Sequence, residues 1–213
     1  MNSMNSPEYF SLTEEYIAAA AQIFTRAFQH DPLFIYLLPK QKSRKNAMQI
    51  LLRAVVTVKV KCGEIYGIGV PLQGVATWNT PLRKKKNKKK KNDTFWALLQ
   101  SGFGRMLFSA FVWGMFKGIH LAWTTNRNHS KYAPGRHFYL EMLAVDPSSH
   151  GRGLSSKLIK PMLHLAHVKN LPVYLETSNL PNVALYEHFG FTVVEKMVFG
   201  HQKMKIWAFL KKN

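Results

Sequence analysis

The chain has 213 residues, 46% of them hydrophobic, which is enough for one substantial core and predicts one domain over residues 1–213. Its formal net charge of +19 leaves contact with nucleic acid or an acidic membrane open. A single cysteine, Cys62, excludes an internal disulfide and a zinc site made of several cysteines. Residues 1–15 contain neither a basic nor an apolar signal region, so we expect a cytoplasmic protein.

The first third of the chain predicts helices followed by a hairpin. Helix formers continue from 18 to 28 after a start at Thr13, and residues 46–61 form a second helical stretch. Asp31 precedes Pro32 and is expected to cap or turn between helices, with recognition of a positively charged amine as its alternative role. Residues 64–70 and 73–78 read as two strands of a hairpin, split by Pro71-Leu72.

A basic run follows the hairpin. Residues 83–91 supply eight positive charges and no apolar side chain, which predicts a solvated, disordered loop at 82–93. The simplest interpretation is an inert low-complexity segment. Nucleic acid, acidic lipid and a targeting receptor remain alternative partners, although no aromatic residue interrupts the run and no nucleic-acid-binding module surrounds it.

Residues 94–123 are rich in aromatic residues and methionine. The apolar part, 106–116, is shorter than the roughly 20 residues that a membrane span needs, and Lys117 ends it. The pattern favours a pair of helices packed beside the sheet as a partly apolar substrate wall. Attachment to a membrane surface through a basic and aromatic amphipathic helix is the alternative.

The most informative segment begins at residue 137. Aromatic and aliphatic residues at 137–145 predict a strand, and the turn at 150–153 opens a helix whose apolar stripe starts at Leu154. A turn with two glycines at a helix N-terminus lets backbone N–H groups approach a phosphate, since no Cβ obstructs them and the helix dipole favours an anion. This segment therefore predicts a site for an anion.

A second strand and a short helix follow. Residues 171–177 predict a buried strand, and residues 178–191 a turn, a short helix and a stop at Gly190. Asn182 and Tyr186 are four residues apart and share one face of that helix. Residues 193–198 and 203–211 are expected to form a closing pair of strands.

The segment resembles the GNAT superfamily of N-acetyltransferases, which use acetyl-coenzyme A. The similarity rests on three motifs, Leu143-Ala-Val-Asp-Pro147, His150-Gly-Arg-Gly-Leu-Ser155, and Asn182 followed by Leu185-Tyr-Glu-His-Phe-Gly-Phe191. Two positions depart from the family pattern, since His150 replaces Gln or Arg and Ser155 replaces Gly or Ala. Residues 27–39, 74–81 and 174–178 also resemble the puromycin N-acetyltransferase-like branch, which implies a small-molecule amine as acceptor.

The resemblance implies an α/β (α+β) fold of one domain, in which helices flank a mixed central sheet that is splayed between two parallel strands. It implies that Tyr186 protonates the departing sulfur. It also implies that coenzyme A binds to the end of the first parallel strand, to the glycine turn and to one asparagine, which here are Met142, Leu143, Ala144, Val145, His150, Gly151, Arg152, Gly153, Leu154, Ser155 and Asn182.

The motifs do not identify the general base that takes a proton from the amine. Glu141, Leu143 and Val145 stand at every second position of the predicted strand, so their side chains should point to the same face. Glu141 is therefore expected on the face that lines the cleft, and Glu176 is a second candidate for the base. His137 is a possible pocket residue. We expect no metal site, because His164 and His167 have no third ligand in the pattern.

The expected activity is transfer of an acetyl group from acetyl-CoA to a primary amine of a small molecule, by direct attack. Two other classes stay open, a catalytically silent sensor of coenzyme A and a protein that contacts a membrane surface or nucleic acid. The sensor would keep the glycine turn and Asn182 without needing Tyr186. Neither the acceptor nor the oligomeric state follows from the sequence.

Overall fold

The computed structural model describes residues 9–82, 110–200 and 203–212. The lysine run, the rest of the loop predicted beyond residue 82, and the aromatic stretch up to residue 109 lie outside these ranges. The helices are α1 (Ile17–Phe28), α2 (Pro32–Leu37), α3 (Gln41–Cys62), α4 (Ala110–Tyr132), α5 (Leu154–Val168) and α6 (Pro181–His188). The strands are β1 (Tyr9–Ser11), β2 (Ile65–Ile68), β3 (Gly74–Asn79), β4 (Phe138–Val145), β5 (Val173–Thr177), β6 (Thr192–Phe199) and β7 (Met204–Lys211).

These strands form one mixed sheet in the order β1-β2-β3-β4-β5-β7-β6. The neighbours β4 and β5 are parallel, and the other adjacent pairs are antiparallel. The β4–β5 ladder has only three residue pairs and ends at Leu140 and Leu175, although both strands continue beyond it. The predicted mixed sheet, splayed between two parallel strands and flanked by helices, is confirmed.

Three apolar clusters hold the helices against the sheet. One joins α5 to β4 and β5 and includes the fully buried Trp78 and Phe138. The second lies under α1 and α3, and the third lies between α2, α4 and the β6–β7 pair. Burial on both faces of the central strands fixes their register and so fixes the place where the ladder ends. No helix within the three described ranges is long and apolar enough to cross a membrane.

Two local features differ from the sequence expectations. Tyr9–Ser11 pairs with β2 as an edge strand, whereas the sequence predicted no strand there, because three residues are too few to show alternation. A register shift between β3 and β4 pairs Thr77 with Met142 but Trp78 with Leu140, which leaves Glu141 without a partner on β3. Such a bulge reverses the alternation of side chains on either side of it.

Gly67 in β2 lies where a side chain has no room. A Cβ there would meet the side-chain methyls of Leu12 and Leu72, the latter at 2.6 Å. We expect Gly67→Ala to lower the free energy of unfolding by about 1–3 kcal/mol, the usual cost of overpacking. Denaturant unfolding measures it, with Gly135→Ala as control because a Cβ at Gly135 meets nothing within 4 Å. Equal stability of the two variants would contradict the packing of Leu12 on β2.

Candidate active site

A cleft of about 790 Å³ opens where β4 and β5 separate. We call it the transfer cleft; β4, the glycine turn, α6 and the α1–α2 connection form its walls. Its lining includes Tyr186, the expected acid, and most of the residues that the sequence placed in a cofactor site, namely Leu143, Ala144, Val145, His150, Gly151, Arg152, Gly153, Leu154, Ser155 and Asn182.

The glycine turn presents backbone to the cleft. Gly151 and Gly153 have φ of +76° and +68°, and a Cβ on either would meet nothing within 4 Å. Within the described ranges, no side chain caps the N-terminus of α5. The first N–H groups of a helix have no intrahelical acceptor, so this terminus can donate to an anion in the cleft.

Asp146, the residue after β4, holds the start of the turn through hydrogen bonds. Its carboxylate accepts from Nε of Arg26 at 3.0 Å and from the N–H and Oγ of Ser148 at 3.1 and 2.7 Å. Burial alone would raise the pKa of Asp146, but the hydrogen bonds from Ser148 and Arg26 outweigh it and hold the pKa below its usual range. The ring of His150 lies on the same end of β4, with Nε2 at 3.2 Å from the carbonyl oxygen of Val145.

Tyr186 reaches the cleft from α6. It is buried, and its ring packs against Phe191 and Phe209. Burial and then the nearby charge of Asp31 raise the pKa of Tyr186 above its usual range, so the phenol keeps its proton at neutral pH. Asn182, one turn earlier, donates from Nδ2 to Oγ1 of Thr177 at 3.4 Å.

Asp31 brings a carboxylate into the same cleft. Its Oδ1 accepts from the N–H of Leu33 at 2.9 Å, which caps α2, and from Oγ of Ser178 at 2.6 Å. Burial raises the pKa of Asp31 despite these two hydrogen bonds. The sequence indicated the cap but not the contact with Ser178, because 147 positions separate the two residues.

Glu141 has a different place from the one expected. The shared face predicted for Glu141, Leu143 and Val145 is wrong, because the bulge at Glu141 interrupts the alternation. Leu143 and Val145 pack in the α5 cluster, whereas Glu141 forms an ion pair with Lys59 of α3. Glu141 is not part of the lining of the transfer cleft, and neither is Met142, which packs against the cluster under α1 and α3.

Glu176 lines a separate cavity of about 480 Å³ between α4 and the sheet. Its Oε1 accepts from the hydroxyl of Tyr174 at 2.7 Å. His137 is close by, with its Nε2 at 2.5 Å from Nε2 of His129. Among the described residues, no group of three metal-ligating side chains comes together, and this includes His164 and His167.

Comparison with known proteins gives a consistent set of relatives. An uncharacterized N-acetyltransferase of Schizosaccharomyces pombe is 25% identical over 199 residues, covering 91% of this chain and 77% of the relative. Several solved structures share the fold, and two of them illustrate the likeness. One is a histone acetyltransferase HPA2-related acetyltransferase from Corynebacterium glutamicum, with 17% identity, 97% and 96% coverage of this chain and of that chain, and a TM-score of 0.60. The other is arylalkylamine N-acetyltransferase 2 of Aedes aegypti, with 14% identity, 98% and 99% coverage and a TM-score of 0.61.

The conserved pattern of the acetyltransferase (GNAT) family matches residues 80–191. This range contains β4, the glycine turn, α5, β5 and α6, which are the elements that form most of the transfer cleft. It covers more than half of the 213 residues. The chain therefore belongs to the GNAT family of acetyltransferases and is an acyltransferase.

Proposed function

We propose that the protein transfers an acetyl group from acetyl-CoA to the primary amine of a small molecule, by direct attack of the amine on the thioester. One observation carries the proposal. The transfer cleft combines a glycine turn at an uncapped helix N-terminus, a protonated phenol at Tyr186 and a carboxylate at Asp31. These groups answer the three needs of the reaction, which are a held donor, a proton for the leaving sulfur and a base for the amine.

The donor would lie along the end of β4. Beyond Leu140 no described strand pairs with β4 on the β5 side, so the β4 backbone groups that point to that side are available to the pantetheine arm and the thioester carbonyl, whereas those that point the other way pair with β3. The N–H groups of the turn would hold the pyrophosphate. In this proposal the cofactor contacts are the residues that the family resemblance implies and that line the cleft, namely Leu143, Ala144, Val145, His150, Gly151, Arg152, Gly153, Leu154, Ser155 and Asn182.

We assign the base to Asp31 instead of Glu141. Glu141 is paired with Lys59 and does not line the transfer cleft, so its carboxylate is not placed to meet an amine there. Both hydrogen bonds to the Asp31 carboxylate within the described part of the chain end on Oδ1, which leaves Oδ2 for an amine in the cleft. A carboxylate whose pKa is raised accepts a proton more readily than an ordinary one.

An acceptor that enters as an ammonium ion first gives one proton to Asp31, and its neutral nitrogen then forms a bond to the acetyl carbonyl carbon. The carbon–sulfur bond breaks, and Tyr186 gives its proton to the departing sulfur, so that CoA leaves as a thiol. The nitrogen, now bonded to the acetyl carbon, loses its second proton to the oxygen of Tyr186, and the proton held by Asp31 passes to solvent. The enzyme is restored without a covalent acetyl intermediate.

The test is isotope-labelled acetyl-CoA incubated with the protein and a panel of small primary amines, followed by mass spectrometry. We expect acetylated amine and free CoA in equal amounts. Binding of CoA without any acetylated product would favour the sensor alternative. Release of CoA with no acetylated amine would show hydrolysis instead of transfer.

The role of the glycine turn can be tested separately. Gly153→Glu would place bulk and negative charge where the pyrophosphate is proposed to bind, so we expect at least about a tenfold loss of CoA affinity by calorimetry. Gly153→Ala is the matched control, since it shares the strain of a positive φ but adds only a methyl into open space. Unchanged affinity of a folded Gly153→Glu would remove the turn from the cofactor site.

A further inference from the structure

Among the described residues, two carboxylates that are largely shielded from water have no cationic partner, in a protein whose formal net charge is +19. Glu141, Glu64 and Asp146 each form an ion pair with a lysine or arginine. Asp31 and Glu176 have only neutral hydrogen-bond donors among the described residues. Burial raises the pKa of each carboxyl. Carboxylates kept from water are costly unless a cation pairs with them, so both positions suit a positively charged ligand.

The cavity at Glu176 has room for such a ligand. Its volume of about 480 Å³ lies within the usual range for small-molecule sites. Trp123 and Tyr139 contribute aromatic surface to its lining, and Asn126 and His129 contribute from α4. Arg127 lies over the Trp123 ring with its guanidinium carbon 5.7 Å from the centroid, but it takes no part in the lining.

The described residues that contact the Glu176 carboxylate are neutral. Tyr174 and Tyr139 both donate hydrogen bonds to its carboxylate. The His129 ring stacks on Tyr174 with centroids 4.7 Å apart. Burial, and then the neighbouring His137, lower the pKa of His129 to about 4, so His129 brings no positive charge to the cavity at neutral pH.

Glu176 is two residues from Ser178, which contacts the Asp31 carboxylate of the transfer cleft. Tyr174, Glu176 and Ser178 follow each other at every second position, so they form a row along one face of β5 and its continuation. Ser178 bonds to Asp31 at 2.6 Å. Because a strand rises about 3.3 Å per residue, Glu176 lies about 7 Å along this row from the residue that contacts Asp31. The two carboxylates can therefore meet two ends of one short molecule.

We propose that the acceptor is a diamine. One amino group would meet Asp31 and be acetylated, the second would remain an ammonium ion bound at Glu176, and the alkyl chain would lie against the rings of Tyr139 and Trp123. This inference rests on the proposed function and adds the class of acceptor. It makes Glu176 a residue that determines specificity, with no part in the bond-forming step.

The test compares diaminobutane with butylamine, which differ only in the second amino group. With saturating acetyl-CoA, we expect kcat/KM to be at least about tenfold higher for diaminobutane, in keeping with one ammonium–carboxylate contact in a poorly solvated site. Glu176→Gln should remove most of this preference through KM, while kcat/KM for butylamine and the affinity for CoA stay within about twofold. The exposed Glu14→Gln is the control and should keep the preference.

A second variant protects the test against misfolding of Glu176→Gln. Trp123 is 62% exposed, so Trp123→Ala removes no core contact, and it should raise KM for diaminobutane with kcat unchanged. Equal use of the two amines by the wild type, or a preference that survives in Glu176→Gln, would overturn the diamine assignment. So would CoA binding without acetylation of either amine. Failure to bind CoA at all would instead overturn the proposed function.

Discussion

Replacing Asp31 by Asn should lower kcat/KM for the amine by about 10³-fold while CoA affinity stays within about twofold. Loss of a general base costs about 10²–10⁴-fold, and here the substitution also removes the charge that would bind the ammonium form of the acceptor. Asparagine is as good an N-cap as aspartate, so α2 should keep its start at Pro32. Steady-state kinetics, with calorimetry for CoA, measure both quantities.

The pH profile gives the same variant a second readout. Asp31 must be deprotonated to act as a base, so activity is lost as the pH falls through its folded pKa. Burial raises that pKa, which places the acid limb of kcat/KM above the ordinary carboxyl range of about 4. An acid limb that persists unchanged in Asp31→Asn, or unaltered turnover, would take Asp31 out of the mechanism. Ser178→Ala removes one hydrogen bond to Oδ1 and should have a smaller effect.

Tyr186→Phe is expected to lower turnover by about 10²-fold at saturating substrate, the usual scale for loss of one general acid. Phenylalanine keeps the ring that packs against Phe191 and Phe209, so stability and CoA affinity should change little. Single-turnover measurements make the chemical step visible. An unchanged single-turnover rate would show that another group protonates the sulfur.

The segment from β4 to α6 was well predicted from sequence because its signals are local. Apolar runs mark β4 and β5, glycines with a positive φ mark the turn, and the spacing of Asn182 and Tyr186 puts both on one face of α6. The resemblance to the GNAT family rests on the same residues. Because these motifs are local, nearly all the cofactor residues expected from the sequence line one cleft.

The base and the second cavity depend on contacts that no local pattern contains. The bulge at Glu141 adds one residue to β4, so side chains at every second position no longer point to the same face. No unusual residue type at Glu141 or beside it marks the bulge in the sequence. Asp31 reaches the cleft only because α1 and α2 pack across the sheet. The cavity at Glu176 exists because α4 lies over β4 and β5, while the sequence indicated Glu176 only as a second candidate base.

A crystal structure of the protein with CoA bound would test the transfer cleft most directly. We expect the pyrophosphate to accept hydrogen bonds from backbone N–H groups at 151–155, the pantetheine arm to lie along 142–145 of β4, and the sulfur to end beside the hydroxyl of Tyr186 with Asp31 on the acceptor side. CoA bound elsewhere, or bound here with its sulfur pointing away from Tyr186, would contradict the proposed site and the mechanism built on it.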